Sequence, residues 1–122
     1  MPHSILEDMA ESKVLFTNQI LELRRGAIVL AILSQLDRPQ YGYGLLQSLE
    51  SSGVPVDAGT LYPLLRRLEG QGVLKSSWET NESRPRKYYQ MSNAGTKLYA
   101  ELLEEWHIMT QAIEAMIKKG QL

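Results

Sequence analysis

The sequence predicts a mainly α-helical fold with one small β-hairpin, and three patterns support this prediction. Apolar residues recur at helical spacing in several segments of the 122-residue chain, most regularly between residues 57 and 74. Two short runs, residues 73–80 and 86–91, lie close together and the second is rich in β-favouring aromatics. A last segment, residues 93–119, repeats apolar residues every three or four positions. A chain of this length can bury the core of one domain, or a smaller core plus an assembly element.

Composition and charge exclude several classes of protein. The chain has no cysteine, so disulfides and thiolate metal sites are excluded, and we expect a cytoplasmic protein without metal or cofactor. No apolar run approaches the ~20 residues of a membrane span, and the acidic N-terminus is unlike a secretory signal peptide. Residues 58–90 hold six Lys/Arg against three Asp/Glu (+3), residues 1–57 four against seven (−3), and residues 91–122 three against four (−1). The basic excess in the middle indicates a module that binds an anionic partner with salt-sensitive affinity.

The N-terminal part of the chain predicts two helical segments. Residues 5–17 hold apolar residues at loose helical spacing, and these must pack on the domain or on a partner chain. Residues 20–36 are the most apolar segment, so we expect a helix enclosed on most sides. Arg24 and Arg25 near its start either face water or reach a phosphate. Pro39 and the glycines after it end this helix.

A helix, a short link and a second helix follow, which is the outline of a helix-turn-helix. The first begins at residues 45–49 and closes at residues 51–53. Asp57 is a good N-cap for the second, which Gly70 and Gly72 end. Its apolar stripe consists of Leu61, Leu64, Leu65 and Leu68.

The opposite face of this second helix has residues suited to the major groove of DNA. Arginine can pair bidentately with a guanine edge, and hydroxyl side chains can reach phosphates. The residues on this face are Thr60, Tyr62, Pro63, Arg66 and Arg67. Pro63 conflicts with a regular helix, because it removes one hydrogen bond and bends the axis. The alternative interpretation is a surface helix with two solvated arginines.

A hairpin directly after a helix-turn-helix is a wing. Residues 81–85 form the turn between the two predicted strands. Arg84, Arg86 and Lys87 lie within four residues at or beside this turn. Any one such charge is more often just solvated, but three together beside a basic helix are candidate phosphate contacts. The fold class therefore becomes a winged helix-turn-helix with a long C-terminal helix.

Ser92 caps that last helix, which runs from about Asn93 to Lys119. Its apolar seam has the a/d spacing of a coiled coil. The seam consists of Tyr99, Leu102, Trp106, Met109, Ile113 and Met116. At ~1.5 Å per residue the helix is roughly 40 Å long, more than so small a domain covers, so we predict a homodimer. The alternative is that the seam packs only on residues 5–16 of the same chain.

Three segments resemble the PadR family of transcriptional regulators, and the similarity covers about residues 24–110. They are YGYGLLQSLE at residues 41–50, GTLYPLLRRLEGQGVL at residues 59–74 and RKYYQMSNAG at residues 86–95. The resemblance implies a winged helix, a homodimer joined through the C-terminal helix, and binding to a palindromic operator in double-stranded DNA. Family members usually repress, and they release DNA when a small molecule binds. By position, the resemblance assigns DNA contacts to Tyr41, Thr60, Tyr62, Arg66, Arg67, Arg84 and Lys87.

The two tryptophans resemble those of a multidrug-binding branch of this family, in which tryptophans of two subunits stack flat aromatic compounds. Trp106 on the seam would meet its symmetry mate, and Met109 beside it adapts to varied shapes. The resemblance thus implies a planar aromatic effector bound by Trp106, Trp78 and Met109. The alternative is that Trp106 is only an anchor of the dimer. The acidic residues Glu101, Glu104 and Glu105 form a solvated face or attract cationic ligands.

An enzyme is not expected. His3 and His107 are the only histidines and are interpreted as solvated, and no nucleophilic cysteine, phosphate-binding glycine loop or metal-ligand cluster is present in the sequence. We therefore predict a repressor that a small aromatic effector releases from its operator. The alternative is a winged-helix adaptor that binds protein and not DNA, whose affinity would not respond to salt.

The predicted organisation is a helical extension at residues 1–19, a DNA-binding domain at residues 20–91 and a dimerisation helix at residues 92–122. Two features depart from the family pattern. Ser83, Arg84 and Pro85 stand where many relatives are glycine-rich, and the first 20 residues extend beyond the minimal family domain.

Overall fold

The computed structural model describes residues 4–81 and 83–121, so His3 lies outside the described residues. Within these ranges it contains four helices and a three-stranded antiparallel sheet. In chain order the elements are α1 (Ile5–Ser34), β1 (Gln40–Tyr41), α2 (Gly42–Ser51), α3 (Ala58–Gly70), β2 (Leu74–Glu79), β3 (Arg86–Met91) and α4 (Asn93–Gly120). The predicted fold class is confirmed. No helix in the described ranges combines the length and apolarity needed to cross a membrane.

α1 is one continuous helix, whereas the sequence predicts two separate segments. The intervening residues, Thr17, Asn18 and Gln19, include no proline or glycine, so nothing interrupts the helical hydrogen bonds. A capping box starts the helix: the Glu7 backbone N–H donates to Ser4 Oγ at 3.1 Å, and the Ser4 N–H donates to the Glu7 carboxylate. The proposed boundary between residues 19 and 20 therefore falls inside α1, and the division into three units stays a prediction.

The link after α1 contains a strand that the sequence does not predict. β1 pairs with β3 through Gln40–Tyr89 and Tyr41–Tyr88, so the predicted hairpin is part of a sheet with the order β1-β3-β2. α2 begins directly after β1, three residues earlier than the predicted start at residue 45. Its first residue is Gly42, where a Cβ would lie only 2.5 Å from the ring of Tyr62. This glycine lets α2 and α3 approach closely.

The core lies between the C-terminal end of α1, the inner faces of α2 and α3, and one face of the sheet. The predicted leucine stripe of α3 is buried in it, and each fully buried leucine stabilises the fold by about 1.5–3 kcal/mol. The core side chains are Ile32, Leu33, Leu36, Leu45, Leu49, Leu61, Leu64, Leu65, Leu68, Val73, Leu74, Tyr89 and Met91. Burial of this stripe directs the other face of α3 to the solvent.

α4 begins against the first residues of the hairpin. The predicted Ser92 cap is confirmed, since Ser92 Oγ accepts the N–H of Gly95 at 3.0 Å. The N–H of Ser92 donates to the carbonyl oxygen of Val73 at 3.0 Å. A Cβ at Gly95 would lie 2.0 Å from that same oxygen.

We expect Gly95→Ala to lower the free energy of unfolding by about 1–3 kcal/mol or more, because the clashing atom belongs to the backbone and cannot turn aside. Urea denaturation of the full chain measures this. Gly120→Ala is the matched control, since no atom outside the helix lies within 4 Å of a Cβ there. Equal stabilities of the two variants would contradict the expected clash.

Candidate nucleic-acid interface

The exposed face of α3 carries the candidate base-reading side chains. The N–H of Thr60 donates to Asp57 Oδ1 at 2.7 Å, which confirms the predicted cap and sets where the helix begins. Thr60, Arg66 and Arg67 are exposed, and Thr60 and Arg67 lie on the flank of α3 that borders α1. Neither guanidinium joins an ion pair within the described part of the chain. Both are therefore available to an anionic or guanine-bearing partner.

Pro63 lies inside α3, and the helix continues through it to Gly70. Its ring nitrogen has no hydrogen to donate to the carbonyl of Gly59, so that turn lacks one backbone hydrogen bond. Pro63 is exposed on the same face as the arginines. Although the sequence sets Pro63 against a regular helix, α3 continues through it without a break.

Tyr62 lies on the flank of α3 and not on its exposed face. The side chain is half-buried, and its ring packs against Gly42 at the start of α2. This contact joins the two helices of the helix-turn-helix. A contact between the Tyr62 hydroxyl and a phosphate stays a prediction.

Tyr41 and Arg86 lie on the outer face of the sheet, away from the core. The ring of Tyr41 is 5.9 Å from that of Tyr88, centroid to centroid, and the guanidinium carbon of Arg86 lies 4.8 Å from the Tyr41 ring centroid. This cation–π contact holds Arg86 on the sheet. Arg84, in the turn between β2 and β3, is exposed. The wing thus carries basic residues in two different settings.

Lys87 points to the other face of β3, towards α3. Its Nζ lies 2.9 Å from Glu69 Oε1, and 5.1 Å from the ring centroid of Tyr89. The Glu69 carboxylate also accepts a hydrogen bond from Ser76 Oγ on β2. The side chains of Lys87 and Glu69 are only 28% and 31% exposed. The sequence predicts Lys87 as a phosphate contact on the wing. The structure pairs it with Glu69 of α3, and a contact with phosphate stays a prediction.

These contacts shift the pKa of both partners away from neutrality. The hydrogen bond from Ser76, followed by that from Lys87, lowers the pKa of Glu69, and the hydrogen bond to Glu69 raises the pKa of Lys87. Because the folded-state pKa of Glu69 is lowered, its contribution to stability is present at neutral pH and is lost as the pH falls through that lowered pKa. The folded-state pKa of Lys87 is raised, so its contribution to stability is also present at neutral pH. It is lost as the pH rises through that raised pKa.

A groove of about 440 Å³ lies between α1 and α4. Two of the three predicted ligand residues, Trp106 and Met109, line it, and so do two carboxylates that the sequence does not single out together, Glu105 and Glu114. The third predicted residue, Trp78, lies on β2 opposite Lys87, where it is 61% exposed, and it does not line the groove of its own chain. The remaining lining residues are Leu23, Gly26, Ala27, Leu30, Leu102, Thr110 and Ile113.

Much of the α4 seam is uncovered in the single chain. Tyr99 and Leu102 pack partly against the core, whereas four seam residues beyond them are 41–72% exposed. These four are Trp106, Met109, Ile113 and Met116. The N-terminal half of α1 is also exposed and apolar, through Ile5, Leu6, Met9, Val14, Leu15 and Phe16. The seam faces residues 23–30 of α1, so the alternative in which it packs only on residues 5–16 does not describe this chain.

A capped helix with an outward basic face, preceded by a packed helix and followed by a hairpin, defines the class of winged helix-turn-helix proteins. The profile of the Transcriptional regulator PadR-like family matches residues 29–101, more than half of the chain. The sequence is 38% identical over 81 residues to the transcriptional regulator Rv3488 of Mycobacterium tuberculosis, covering 66% of this chain and 76% of that protein.

Solved structures agree with this match. A PadR family transcriptional regulator from Eggerthella lenta has 43% identity and a TM-score of 0.81, with 89% of this chain and 96% of that chain covered. A transcriptional regulator from Clostridium thermocellum has 30% identity and a TM-score of 0.70, with 77% and 96% covered. The chain belongs to the PadR-like family of transcriptional regulators. This membership confirms the resemblance stated above and the expectation of a DNA-binding regulator rather than an enzyme.

Proposed function

We propose that the protein is a homodimeric repressor that binds a palindromic DNA operator and leaves it when a planar aromatic compound binds at the dimer interface. The observation that carries this proposal is the exposed face of α3, where Arg66 and Arg67 project from a helix whose other face is buried. A helix of this kind fits the major groove, and its guanidiniums can pair with guanine edges. A regulator that binds operator DNA acts in the compartment that holds the DNA, in keeping with the expected cytoplasmic location.

The other candidate DNA contacts surround this helix. Thr60 at the N-terminus of α3 is exposed and has a hydroxyl suited to a phosphate, and Tyr41 and Tyr62 are partly exposed. Arg84 in the turn of the wing is placed to contact the backbone beside the groove. Lys87, which the sequence also predicts as a DNA contact, pairs with Glu69 of α3.

The dimer is supported by apolar surface that one chain leaves in water. Isolated exposed apolar side chains are normal, but a contiguous stripe along a long helix marks an interaction site. The exposed half of the α4 seam is such a stripe, and the N-terminal half of α1 adds exposed apolar residues at looser spacing. We therefore assign dimerisation to the α4 seam, and we propose that the N-terminal half of α1 packs on the partner subunit.

The groove between α1 and α4 is the proposed effector site. Trp106 offers a flat surface for stacking, and Met109 beside it adapts to ligand shape. Glu105 and Glu114 favour a cationic compound over an anionic one. Because α4 also carries the dimer seam, a ligand there can change how the two subunits hold their α3 helices.

A selection experiment tests the proposed DNA binding. Purified full-length protein is incubated with a random duplex pool of about 30 base pairs, long enough for two half-sites one helical turn apart, and bound duplexes are enriched by mobility shift. We expect a palindromic sequence whose affinity falls steeply with salt. Failure to enrich any sequence, or an affinity that does not change with salt, would contradict the proposal and favour the adaptor.

Tryptophan fluorescence tests the effector site. We expect acridine orange, a planar cationic dye, to quench the tryptophan fluorescence of the protein. Trp106→Phe should remove most of this quenching and weaken dye binding about 10-fold, because the larger stacking surface of the indole is lost. Trp78→Phe is the matched control and keeps the quenching. Quenching of Trp106→Phe to the wild-type extent would place the dye elsewhere.

A further inference from the structure

Glu69 occupies an unusual position for an acidic residue. It lies in the last turn of α3, where the carbonyl end of the helix dipole disfavours negative charge. Glu69 also lies on α3, the helix proposed to enter the DNA groove, where its carboxylate repels the phosphates of the DNA. Its hydrogen bonds with Ser76 and Lys87 offset these two disadvantages. These two contacts are therefore the geometric observation from which a role for Glu69 is argued.

The two contacts join α3 to both strands of the wing. Ser76 is on β2 and Lys87 is on β3, so one carboxylate binds both strands of the hairpin on the same face. The backbone connection from α3 to β2 is short and turns at Gly72, which has a φ of +78°. The next β2 residue on this face is Trp78, which is 61% exposed, so the face is no longer buried two residues beyond Ser76.

We propose that Glu69 is a positioning residue for DNA binding: its clasp on Ser76 and Lys87 fixes the angle of the wing relative to α3. With the clasp closed, Arg84 at the tip and the arginines of α3 can engage one duplex together. With the clasp open, the hairpin pivots and the tip contact is lost. This inference rests on the proposed DNA-binding function.

The clasp predicts an effect opposite in sign to that of simple electrostatics. If charge alone decided, Glu69→Gln would remove a repulsive carboxylate, release Lys87 and strengthen DNA binding. If the clasp positions the wing, Glu69→Gln weakens binding. Lys87 discriminates further, because a lysine that contacts a phosphate adds about one to the salt dependence of the affinity and a lysine held by Glu69 adds nothing.

The test uses the duplex enriched by the wild-type protein, with affinities measured by fluorescence anisotropy at several salt concentrations. We expect Glu69→Gln and Lys87→Met each to weaken binding about 10-fold, and the double variant to be no weaker than either, because both open one clasp. The salt dependence of Lys87→Met should equal that of Glu69→Gln, because both variants lose the same Arg84 contact and Lys87 itself contacts no phosphate. Glu50→Gln, an exposed acid at the end of α2, is the charge-matched control and should bind as the wild type does.

A second readout separates positioning from a general loss of stability. Arg84→Ala should weaken DNA binding by the wild-type protein. It should weaken binding by Glu69→Gln very little further, because the open clasp has already removed the Arg84 contact. Full additivity of Glu69→Gln and Arg84→Ala, tighter binding by Glu69→Gln, or a salt dependence of Lys87→Met lower than that of Glu69→Gln would each overturn the clasp. Failure to enrich any duplex would overturn the proposed function and this inference together, whereas enrichment followed by wild-type affinity of Glu69→Gln would overturn this inference alone.

Discussion

The paired substitution Arg66→Ala and Arg67→Ala should weaken binding to the enriched duplex by about 10²-fold or more, since each good arginine contact to a base or phosphate contributes about 1–3 kcal/mol. Both side chains are exposed and contribute nothing to the core, so the variant should fold as the wild type does. Fluorescence anisotropy over a series of salt concentrations gives the affinity and its salt dependence. Every guanidinium on a phosphate lost from the complex lowers that dependence by about one.

Lys118→Ala together with Lys119→Ala is the control for this prediction. It removes the same number of positive charges from the last turn of α4, far along the chain from the winged helix. We expect the operator affinity of this control to be close to that of the wild type. If the α4 and α3 double variants weakened binding equally, net charge and not the α3 face would govern the affinity.

The second large effect is expected at the α4 seam. Ile113 is 49% exposed in the single chain and lines the groove against α1. Ile113→Asp should leave the chain folded, because the site is open to water in the single chain, but it should place a carboxylate in the proposed apolar dimer interface. Burying an unpaired charge costs several kcal/mol, so we expect dimerisation to weaken by about 10²-fold or more. Sedimentation velocity over a range of protein concentrations measures this.

Operator affinity should also fall when Ile113→Asp weakens dimerisation. A single subunit contacts one half-site and loses the gain from two linked contacts. Gln111→Asp introduces the same charge on α4 away from the seam, and it should leave both the dimer and the operator affinity unchanged. A dimeric Ile113→Asp protein, or a monomeric one that keeps full operator affinity, would show that α4 does not link the two half-sites.

The parts of the fold that follow local rules are predictable from the sequence. The Asp57 and Ser92 caps, the leucine stripe of α3 and the position of the hairpin depend on residues within one or two turns of each other. The prediction for α1 is correct in part: both segments are helical, but they form one continuous helix and not two. Thr17, Asn18 and Gln19 interrupt the apolar pattern without interrupting the helix, since polar residues on an exposed helix remove no hydrogen bond.

Features that depend on contacts between distant segments are not predicted. β1 is two residues long, has no alternating pattern of its own, and exists because β3 offers it a partner. The environment of Lys87 has a signal in the sequence that single-residue reasoning misses. Lys87 alternates with Tyr89 and Met91 along β3 and therefore shares their inward face. Its partner Glu69 is 18 residues away, and its position follows only from the packing of α3 on the hairpin.

The candidate site divides in the same way. The sequence indicates the basic face of α3 and the apolar seam of α4, because each is a periodic pattern on one helix. It does not show that residues 23–30 of α1 form the other wall of the groove, or that Trp78 lies on the wing outside that groove.

Hydroxyl-radical footprinting of the enriched duplex tests the central claim most directly, namely that two subunits hold two α3 helices at one fixed separation. We predict two symmetric protected regions whose centres are ~34 Å apart, one turn of DNA, at saturating wild-type protein. A single asymmetric protected region, or two regions whose spacing varies among enriched duplexes, would contradict the account.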